Sequence, residues 1–230
     1  MTVDFYYTPA SAACRSVMLT AKSMGVELNL KPVDLWAKEQ LKEEFVALNP
    51  QHCVPTMVDG DFILWESRAI CTYLASQYGK LDAFYPSEPR ARARVDRLLY
   101  FDMGTLHHRF GEYVCPVVFG GEEKVEPQKL ESLQEALGWL DQFLAGHDWA
   151  VGNIITVADN VLVASVSTME ACGIDLSSHD NVSTWLERCK SVLPGYSEVN
   201  EPGAAEFGKI AKEKLNKLDK PDGTVSTSSN

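Results

Sequence analysis

The stretch of sequence that decides the fold is VDFYYTPASAACR, residues 3–15. Its first half, Val3–Tyr7, is a run of β-branched and aromatic residues that predicts a strand, and Thr8-Pro9 ends that strand. From Ala12 to Met24 apolar residues recur with helical spacing, which predicts an amphipathic helix that ends at Gly25. A strand that leads directly into a helix indicates an α/β unit.

The residues that follow continue the alternation of strands and helices. Runs rich in β-branched and aromatic residues alternate with helical spacings as far as residue 79, and an Asp-Gly-Asp turn at 59–61 predicts a β-hairpin. We predict strands at 28–33, 56–58 and 62–65, and helices at 39–48 and 67–78. The order βαβ, α, ββ, α predicts an α/β domain with a mixed four-stranded sheet over residues 1–80.

A proline-rich segment separates this domain from the rest of the chain. The sequence YPSEP at 85–89 interrupts any regular element, so we predict a linker over 81–89. Beyond it the spacing is almost wholly helical, which predicts an all-helical domain over 90–218. Its helices are expected at 90–119, 128–144, 157–171, 182–192 and 204–218, and the polar tail at 219–230 is expected to be disordered.

The composition narrows the possible functions. The 230 residues include 21 basic and 32 acidic side chains, and this net charge of -11 argues against a nucleic-acid partner. No stretch approaches the roughly 18 apolar residues of a membrane span, and the opening MTVDFYYTP lacks the features of a signal peptide. The six cysteines show no metal-ligand spacing. We therefore expect a cytoplasmic protein with reduced thiols and no metal.

The turn between the first strand and the first helix is the first candidate for chemistry. A helix N-terminus presents unpaired N–H groups and the positive end of the helix dipole, so it favours an anion. Ser11 is the hydroxyl best placed there to donate a hydrogen bond to that anion. The same serine is explained more simply as the N-cap of the helix, and the turn by itself favours that interpretation.

Two further segments allow both a functional and a structural interpretation. Val54 precedes Pro55 at a strand entry, where an extended peptide could pair with the strand edge, although an ordinary loop has the same pattern. In WESR, residues 65–68, a strand again leads into a helix. Ser67 could bind a carboxylate and Glu66 an ammonium, which together would recognise the charged end of an amino acid. A helix cap beside a solvated ion pair explains the segment equally well.

In combination, these segments resemble a known family. The strings VDFYY-x-P-x-S-x-x-CRSV (3–17), LNPQHCVPT (48–56), LWESRAI (64–70) and LYFDMGTL (99–106) are similar to those of cytosolic glutathione transferases of the insect delta class. The resemblance covers about residues 3–215, nearly the whole chain. It implies a thioredoxin-like first domain, an all-helical second domain, a homodimer, and conjugation of the glutathione thiolate to small hydrophobic electrophiles in detoxification.

The resemblance also assigns roles to individual residues. Ser11 would stabilise the thiolate, and Val54 would pair its backbone with the cysteinyl part of glutathione, next to a cis-Pro55. Asp102 would reach across the dimer toward glutathione, and Tyr100 would lie at the interface. The implied glutathione-binding residues are His52, Val54, Pro55, Glu66, Ser67, Arg68, Gln40 and Asp102, and the implied electrophile pocket is His107, Phe110, Tyr113, Cys115, Phe119 and Phe207.

Several positions depart from the usual delta-class pattern. Gln40 stands where a histidine is common, and His107 and Cys115 stand where tyrosine is frequent, so substrate preference is the property least securely implied.

Thr156 is followed three residues later by Asp159, which is a capping-box-like helix start. In the family this motif helps the helical domain to fold, and we expect the same structural role here.

Two other functions remain possible from the sequence. A glutathione-dependent thiol-disulfide oxidoreductase would carry a cysteine at the position of Ser11, and only the second cysteine of that motif, Cys14, is present. A non-catalytic carrier of glutathione or hydrophobic ligands would share the fold, although the joint presence of Ser11 with Glu66, Ser67 and Arg68 favours an enzyme. Glutathione is expected as a co-substrate, with no cofactor.

Overall fold

The structure is a computed structural model that describes residues 2–121 and 126–218. It begins with four strands, β1 (Val3–Tyr7), β2 (Leu28–Pro32), β3 (Thr56–Asp59) and β4 (Phe62–Trp65), in the sheet order β2-β1-β3-β4. Strand β1 runs parallel to β2 and antiparallel to β3, which pairs antiparallel with β4. The predicted mixed sheet is confirmed, and Gly60, with φ of 64°, makes the predicted hairpin turn.

Three helices accompany the sheet: α1 (Ala12–Met24), α2 (Glu43–Leu48) and α3 (Ser67–Tyr78). The bounds of α1 and α3 agree with the sequence prediction. The single helix predicted at 39–48 is wrong, because the structure has a 3₁₀ turn at Glu39–Leu41 followed by α2. Lys42 lies between them in an extended conformation, with φ of −65° and ψ of 144°, and interrupts the helix.

The rest of the described chain is helical, as predicted. It contains α4 (Pro89–Phe101), α5 (His107–Val118), α6 (Pro127–Leu144), α7 (Val157–Cys172), α8 (Asp180–Val192) and α9 (Glu201–Leu218). Helix α7 is the centre of this part, since it is buried from Val157 to Met169 and contacts α1, α4, α8 and α9. A largely apolar helix is suited to such a buried position, and its buried polar side chains, such as Asp159 and Thr168, accept hydrogen bonds.

The long helix predicted at 90–119 is not regular throughout. Helices α4 and α5 are continuous with a wide π-helical turn at Asp102–Leu106, which changes the direction in which later side chains point. A second π turn, Tyr196–Asn200, leads into α9, which therefore begins at Glu201 and not at residue 204. Apolar spacing does not reveal such turns, because each adds one residue to an otherwise helical pattern.

A buried arginine joins the sheet-containing part to the helical part. The Arg15 guanidinium, fully buried on α1, donates hydrogen bonds to Thr168 Oγ1 at 2.6 Å and to Asn200 Oδ1 at 2.8 Å. Burial lowers the pKa of Arg15 to about 10, so the group still carries its charge at neutral pH. Helix α1 is thereby fixed against α7 and the π turn that leads into α9.

Two further sequence predictions concern the C-terminal tail and the absence of a membrane span. The tail at 219–230, expected to be disordered, lies outside the described part of the chain. Within that part, no helix combines the length and the apolar character that crossing a bilayer requires.

Candidate active site

Most of the candidate residues lie at one edge of the sheet. Thr56 in β3 is paired with Tyr6 in β1 on one side and with Trp65 in β4 on the other, while Tyr7 is paired with Pro32 in β2. The segments after β1, β2 and β4, and the segment before β3, therefore leave the sheet at the same edge. These segments carry Ser11, Gln40, the Val54–Pro55 pair and residues 66–68.

Ser11 is both the N-cap of α1 and a possible hydrogen-bond donor to a ligand. It has φ of −78° and ψ of 117°, and its Oγ accepts a hydrogen bond from the backbone N–H of Cys14 at 3.3 Å. A hydroxyl that accepts in this way still has its own O–H to donate. Accepting a hydrogen bond also strengthens that donor, because hydrogen bonds in a chain polarise one another. The two interpretations of Ser11 are therefore compatible.

The thiol closest in sequence to Ser11 is poorly suited to redox chemistry. Cys14 is fully buried, and burial raises the pKa of its thiol to about 11 in spite of a hydrogen bond with Ser11. A reactive cysteine needs a lowered pKa and access to solvent. Cys14 has neither property, which disfavours the thiol-disulfide oxidoreductase.

The loop that carries His52 and Val54 is held from inside by Asn49, a residue that sequence reasoning missed. The buried Asn49 amide donates hydrogen bonds to Thr56 Oγ1 at 2.9 Å and to the Cys53 carbonyl at 3.1 Å. Its Oδ1 accepts from the backbone N–H of Gln51 at 2.9 Å. The Asn-Pro dipeptide at 49–50 is the sequence signal that could have indicated this role.

Val54 presents a free backbone at the sheet edge. The Val54–Pro55 peptide bond is cis, as the resemblance implied. Within residues 2–121 and 126–218, neither the N–H nor the carbonyl of Val54 makes a hydrogen bond. Such groups are suited to pairing with an extended peptide. His52, two residues earlier, is exposed and has a positive φ of 43°, so the backbone turns sharply there.

The segment after β4 is shaped by an unusual backbone conformation and a buried ion pair. Glu66 is exposed and has a positive φ of 70°, which is uncommon for a residue with a Cβ. Ser67 is buried, and its Oγ accepts from Arg68 Nη1 at 2.9 Å. The same guanidinium donates from Nε and Nη2 to Asp102 Oδ2. Arg68 therefore holds Ser67 and Asp102 together.

Asp102 has a partner within its own chain. Its side chain is fully buried and pairs with Arg68, and the expectation that this carboxylate reaches across a dimer stays a prediction. A buried carboxylate needs a charged partner, and this guanidinium supplies two donors. The other oxygen, Oδ1, is buried without a hydrogen-bond partner among the described residues. Asp102 thus positions Arg68.

Aromatic rings from three elements form a continuous series, which we call the aromatic strip: Trp36, Phe119, Phe207 and Phe110. The ring centroids of Trp36 and Phe119 are 5.6 Å apart, those of Phe119 and Phe207 6.3 Å, and those of Phe207 and Phe110 6.4 Å. All three separations are within the range of aromatic pairs. The structure thus brings together three of the six residues predicted to line the electrophile pocket.

The other three predicted pocket residues lie on α5, and one of them, His107, contacts the strip. His107 is 6.4 Å from Phe110 between ring centroids, and its Nδ1 is 3.2 Å from Ser165 Oγ on α7. Burial lowers the pKa of His107, which favours the neutral imidazole. Tyr113 packs against the hydrophobic core, and Cys115 is exposed on α5. The roles of these three residues toward an electrophile stay predictions.

Trp36 is the second residue that sequence reasoning missed. It lies after β2, in the loop that leads to Gln40, whose side chain is half-buried in the 3₁₀ turn. A single large aromatic residue inside the polar segment DLWAKEQ was the available signal. Only the structure shows that this loop reaches the end of α5.

Comparison with known proteins gives this arrangement a family. The model of the glutathione S-transferase N-terminal domain matches residues 1–76, and that of the glutathione S-transferase C-terminal domain matches residues 103–191. The chain belongs to the glutathione S-transferase family. Glutathione S-transferase D7 of Anopheles gambiae is 45% identical to this transferase over 217 residues, which cover 94% of this chain and 99% of that protein.

Solved structures place this transferase close to the delta class. A delta-class glutathione transferase of Nilaparvata lugens superimposes with a TM-score of 0.90 at 49% identity, covering 92% of this transferase and 99% of that chain. An epsilon-class enzyme of Musca domestica has a TM-score of 0.87 at 35% identity, covering 92% and 98%. The resemblance to the insect delta class that the sequence motifs indicated is confirmed, and the transferase is an enzyme by its family.

Proposed function

We propose that this enzyme conjugates the glutathione thiolate to small hydrophobic electrophiles, and that Ser11 stabilises the thiolate. One observation carries the proposal. Four segments leave the sheet at the same edge, and one of them carries Ser11 at the N-terminus of α1. A helix N-terminus and a hydroxyl donor both favour an anion. The segments beside them carry groups suited to a peptide.

Glutathione is a peptide with three parts, and each part has a matching segment. The unpaired backbone of Val54 suits the cysteinyl part, since peptide groups pair by strand addition. Ser67 at the start of α3, with Glu66 and Arg68 beside it, suits the γ-glutamyl end, which carries a carboxylate and an ammonium. His52 and Gln40 are assigned to the glycyl carboxylate.

The reaction forms a carbon–sulfur bond. With 1-chloro-2,4-dinitrobenzene, the thiolate sulfur attacks the ring carbon that bears chlorine, chloride leaves, and the thiol proton has already passed to solvent. If the site lowers the thiol pKa from about 8.5 to about 6.5, the thiolate fraction at pH 7 rises roughly 25-fold. Intrinsic nucleophilicity falls about 8-fold with a Brønsted slope of about 0.45. Most of the acceleration must therefore come from holding both reactants together.

The Ser11→Ala variant tests the role of the serine. On the same figures we expect kcat/KM with 1-chloro-2,4-dinitrobenzene to fall about tenfold at pH 6 but only about threefold at pH 7. The midpoint of the pH profile should rise by about 2 units toward that of the free thiol. The measurement is the initial rate as a function of pH. A loss of kcat/KM that is larger at pH 6 than at pH 7 identifies Ser11 as the group that stabilises the thiolate, because a purely structural effect would lower kcat/KM equally at every pH.

The control is Ser191→Ala, which removes an exposed hydroxyl on α8 that donates to the Arg188 carbonyl at 2.9 Å. Its pH profile should match that of the wild type. Identical pH profiles for Ser11→Ala and the wild type would leave the proposed transferase activity standing but would contradict the role of Ser11 in stabilising the thiolate. Glutathione binding by the wild type without any turnover would favour the non-catalytic carrier.

We further propose a cytoplasmic homodimer that needs no cofactor. Tyr100 and Met103 are exposed apolar side chains three residues apart, on α4 and the π turn that follows it, where an interface would cover them. Light scattering should give a mass twice the 25.5 kDa of the chain. A mass near that of one chain would contradict the dimer without affecting the proposed chemistry.

A further inference from the structure

The guanidinium of Arg15 is a buried charge without a counter-ion. Its acceptors are the Thr168 hydroxyl and the side-chain and backbone oxygens of Asn200, at 2.6, 2.8 and 3.2 Å, and all three are neutral. Within residues 2–121 and 126–218, no carboxylate forms an ion pair with it. Because a buried charge is normally paired with an opposite charge, this arrangement is unusual.

The titratable groups that face Arg15 leave its charge uncancelled. They are Tyr196, Cys14, Cys172 and Glu206. Burial raises the pKa of Cys14 to about 11 and that of Cys172 to about 12, and it also raises the pKa of Tyr196, so these three groups are neutral at pH 7. Glu206 is exposed on α9, where water and salt screen its charge.

The uncancelled charge lies close to the turn where the thiolate is proposed to lie. The backbone N–H of Arg15 donates to the Ser11 carbonyl at 3.0 Å, and a long side chain on a helix points back toward the preceding turn. A Cβ on Gly203 would lie 2.0 Å from the Pro9 carbonyl oxygen and 2.8 Å from Arg15 Cδ, so the arginine stem passes beside that turn. Since four residues of helix span about 6 Å, the guanidinium lies on the order of 10 Å from Ser11.

A charge at that distance has a measurable effect on an acid. At an effective dielectric constant of about 20–40, a unit positive charge about 10 Å away lowers the pKa of a thiol by about 0.5–1 unit. The dipole of α1 and the Ser11 hydroxyl act on the same sulfur. These contributions are not additive, because the serine holds the sulfur where the other two act on it.

We propose that Arg15 supplies positive potential that stabilises the glutathione thiolate, and that Asn200 and Thr168 anchor the guanidinium without neutralising it. This inference rests on the proposed function and adds to the thiolate site a charge that does not touch the sulfur. An aspartate at position 200 would accept a stronger, charge-assisted hydrogen bond from the guanidinium. The neutral amide of Asn200 is the weaker anchor, but it leaves the field of Arg15 intact.

The first test is Asn200→Asp, which keeps an acceptor for the guanidinium but cancels its charge. Ser167 Oγ accepts from the Asn200 amide at 2.9 Å, and its hydroxyl can donate to a carboxylate at the same position. The measurement is the pKa of the enzyme-bound glutathione thiol, followed by the ultraviolet absorbance of the thiolate as a function of pH. We expect this pKa to rise by about 0.5–1 unit. Arg15→Gln, which removes the charge, is the second test and should give a similar rise.

Two controls separate the effect of charge from that of structure. Thr168→Val removes one acceptor and keeps the charge, so it should lower the unfolding midpoint without raising the thiol pKa. Asn216→Asp makes the same change of net charge at an exposed position of α9, and it should alter neither quantity. An unchanged thiol pKa in either charge variant, or an equal rise in Thr168→Val, would overturn the inference.

Wild-type turnover of 1-chloro-2,4-dinitrobenzene, measured alongside, distinguishes this failure from failure of the proposed function. If the wild type turns over and its bound thiol is acidic, but the charge variants show no shift, only the inference fails. If the wild type binds glutathione with the pKa of a free thiol and shows no turnover, the proposed function fails and the inference fails with it.

Discussion

Replacing Asp159 by alanine is expected to destabilise the protein by about 3–5 kcal/mol, because three buried N–H donors would lose their acceptor. The Asp159 carboxylate accepts from the backbone N–H groups of Ala150 and Thr156, each at 2.8 Å, and from Trp185 Nε1 at 2.9 Å. It thereby joins the start of α7 to the preceding loop and to α8. The capping box that the sequence indicated is present, with contacts beyond its own helix.

The measurement is the thermal unfolding midpoint followed by circular dichroism. For a chain of this size a loss of 3–5 kcal/mol corresponds to a fall of roughly 6–20 °C. Asp175→Ala is the control, since this exposed carboxylate accepts from the Ser177 N–H at 2.9 Å and caps only its own turn. It should lower the midpoint by a few degrees at most. Equal midpoints for Asp159→Ala and the control would refute the role assigned to Asp159.

Replacing Gly203 by alanine is expected to damage both stability and catalysis. A Cβ at this position would lie 2.0 Å from the Pro9 carbonyl oxygen and 2.8 Å from Arg15 Cδ, so the backbone of one element must move. Such overpacking typically destabilises by about 1–3 kcal/mol. Pro9 is two residues from Ser11, and a displacement of about 1 Å at a reacting group lowers rates by up to about 100-fold. We expect kcat/KM to fall about 10- to 100-fold.

The control for Gly203→Ala is Gly138→Ala in α6, where the nearest atom to an added Cβ is His179 Cε1 at 3.8 Å. An ordinary contact and the better helix propensity of alanine should stabilise this variant by about 0.5–1 kcal/mol and leave its activity unchanged. Activity and unfolding midpoint are measured for both variants. A fully active Gly203→Ala protein would show that α9 does not fix the position of the Ser11 turn.

The elements that sequence predicted well are those with a strong local signal. Helix α1 has regular apolar spacing, a serine before it and a glycine after it, and its predicted bounds match the structure. The hairpin between β3 and β4 has an equally local turn. The π turn at Asp102–Leu106 was not foreseeable, because its geometry depends on packing against other elements and not on apolar period.

The candidate site was predictable where its residues belong to contiguous motifs. Ser11, Val54 and residues 66–68 were all named from the sequence, and the pairing of the strands brings their segments to one edge. The burial of Asp102 was not foreseeable, since its pairing with Arg68 joins residues 34 positions apart. Trp36 was not predicted as part of the site for a similar reason, because Phe119, the ring that it contacts, lies far along the chain.

The buried guanidinium of Arg15 restricts how the two halves of this chain can be recombined. Its acceptors, Thr168 and Asn200, are supplied by the helical half, so a sheet-containing half alone would leave an unpaired cation in an apolar surface. A chimera made by joining the N-terminal half to the helical half of a relative keeps this junction only if both acceptors come with it. The two halves can therefore be exchanged between relatives only when Arg15, Thr168 and Asn200 are kept together.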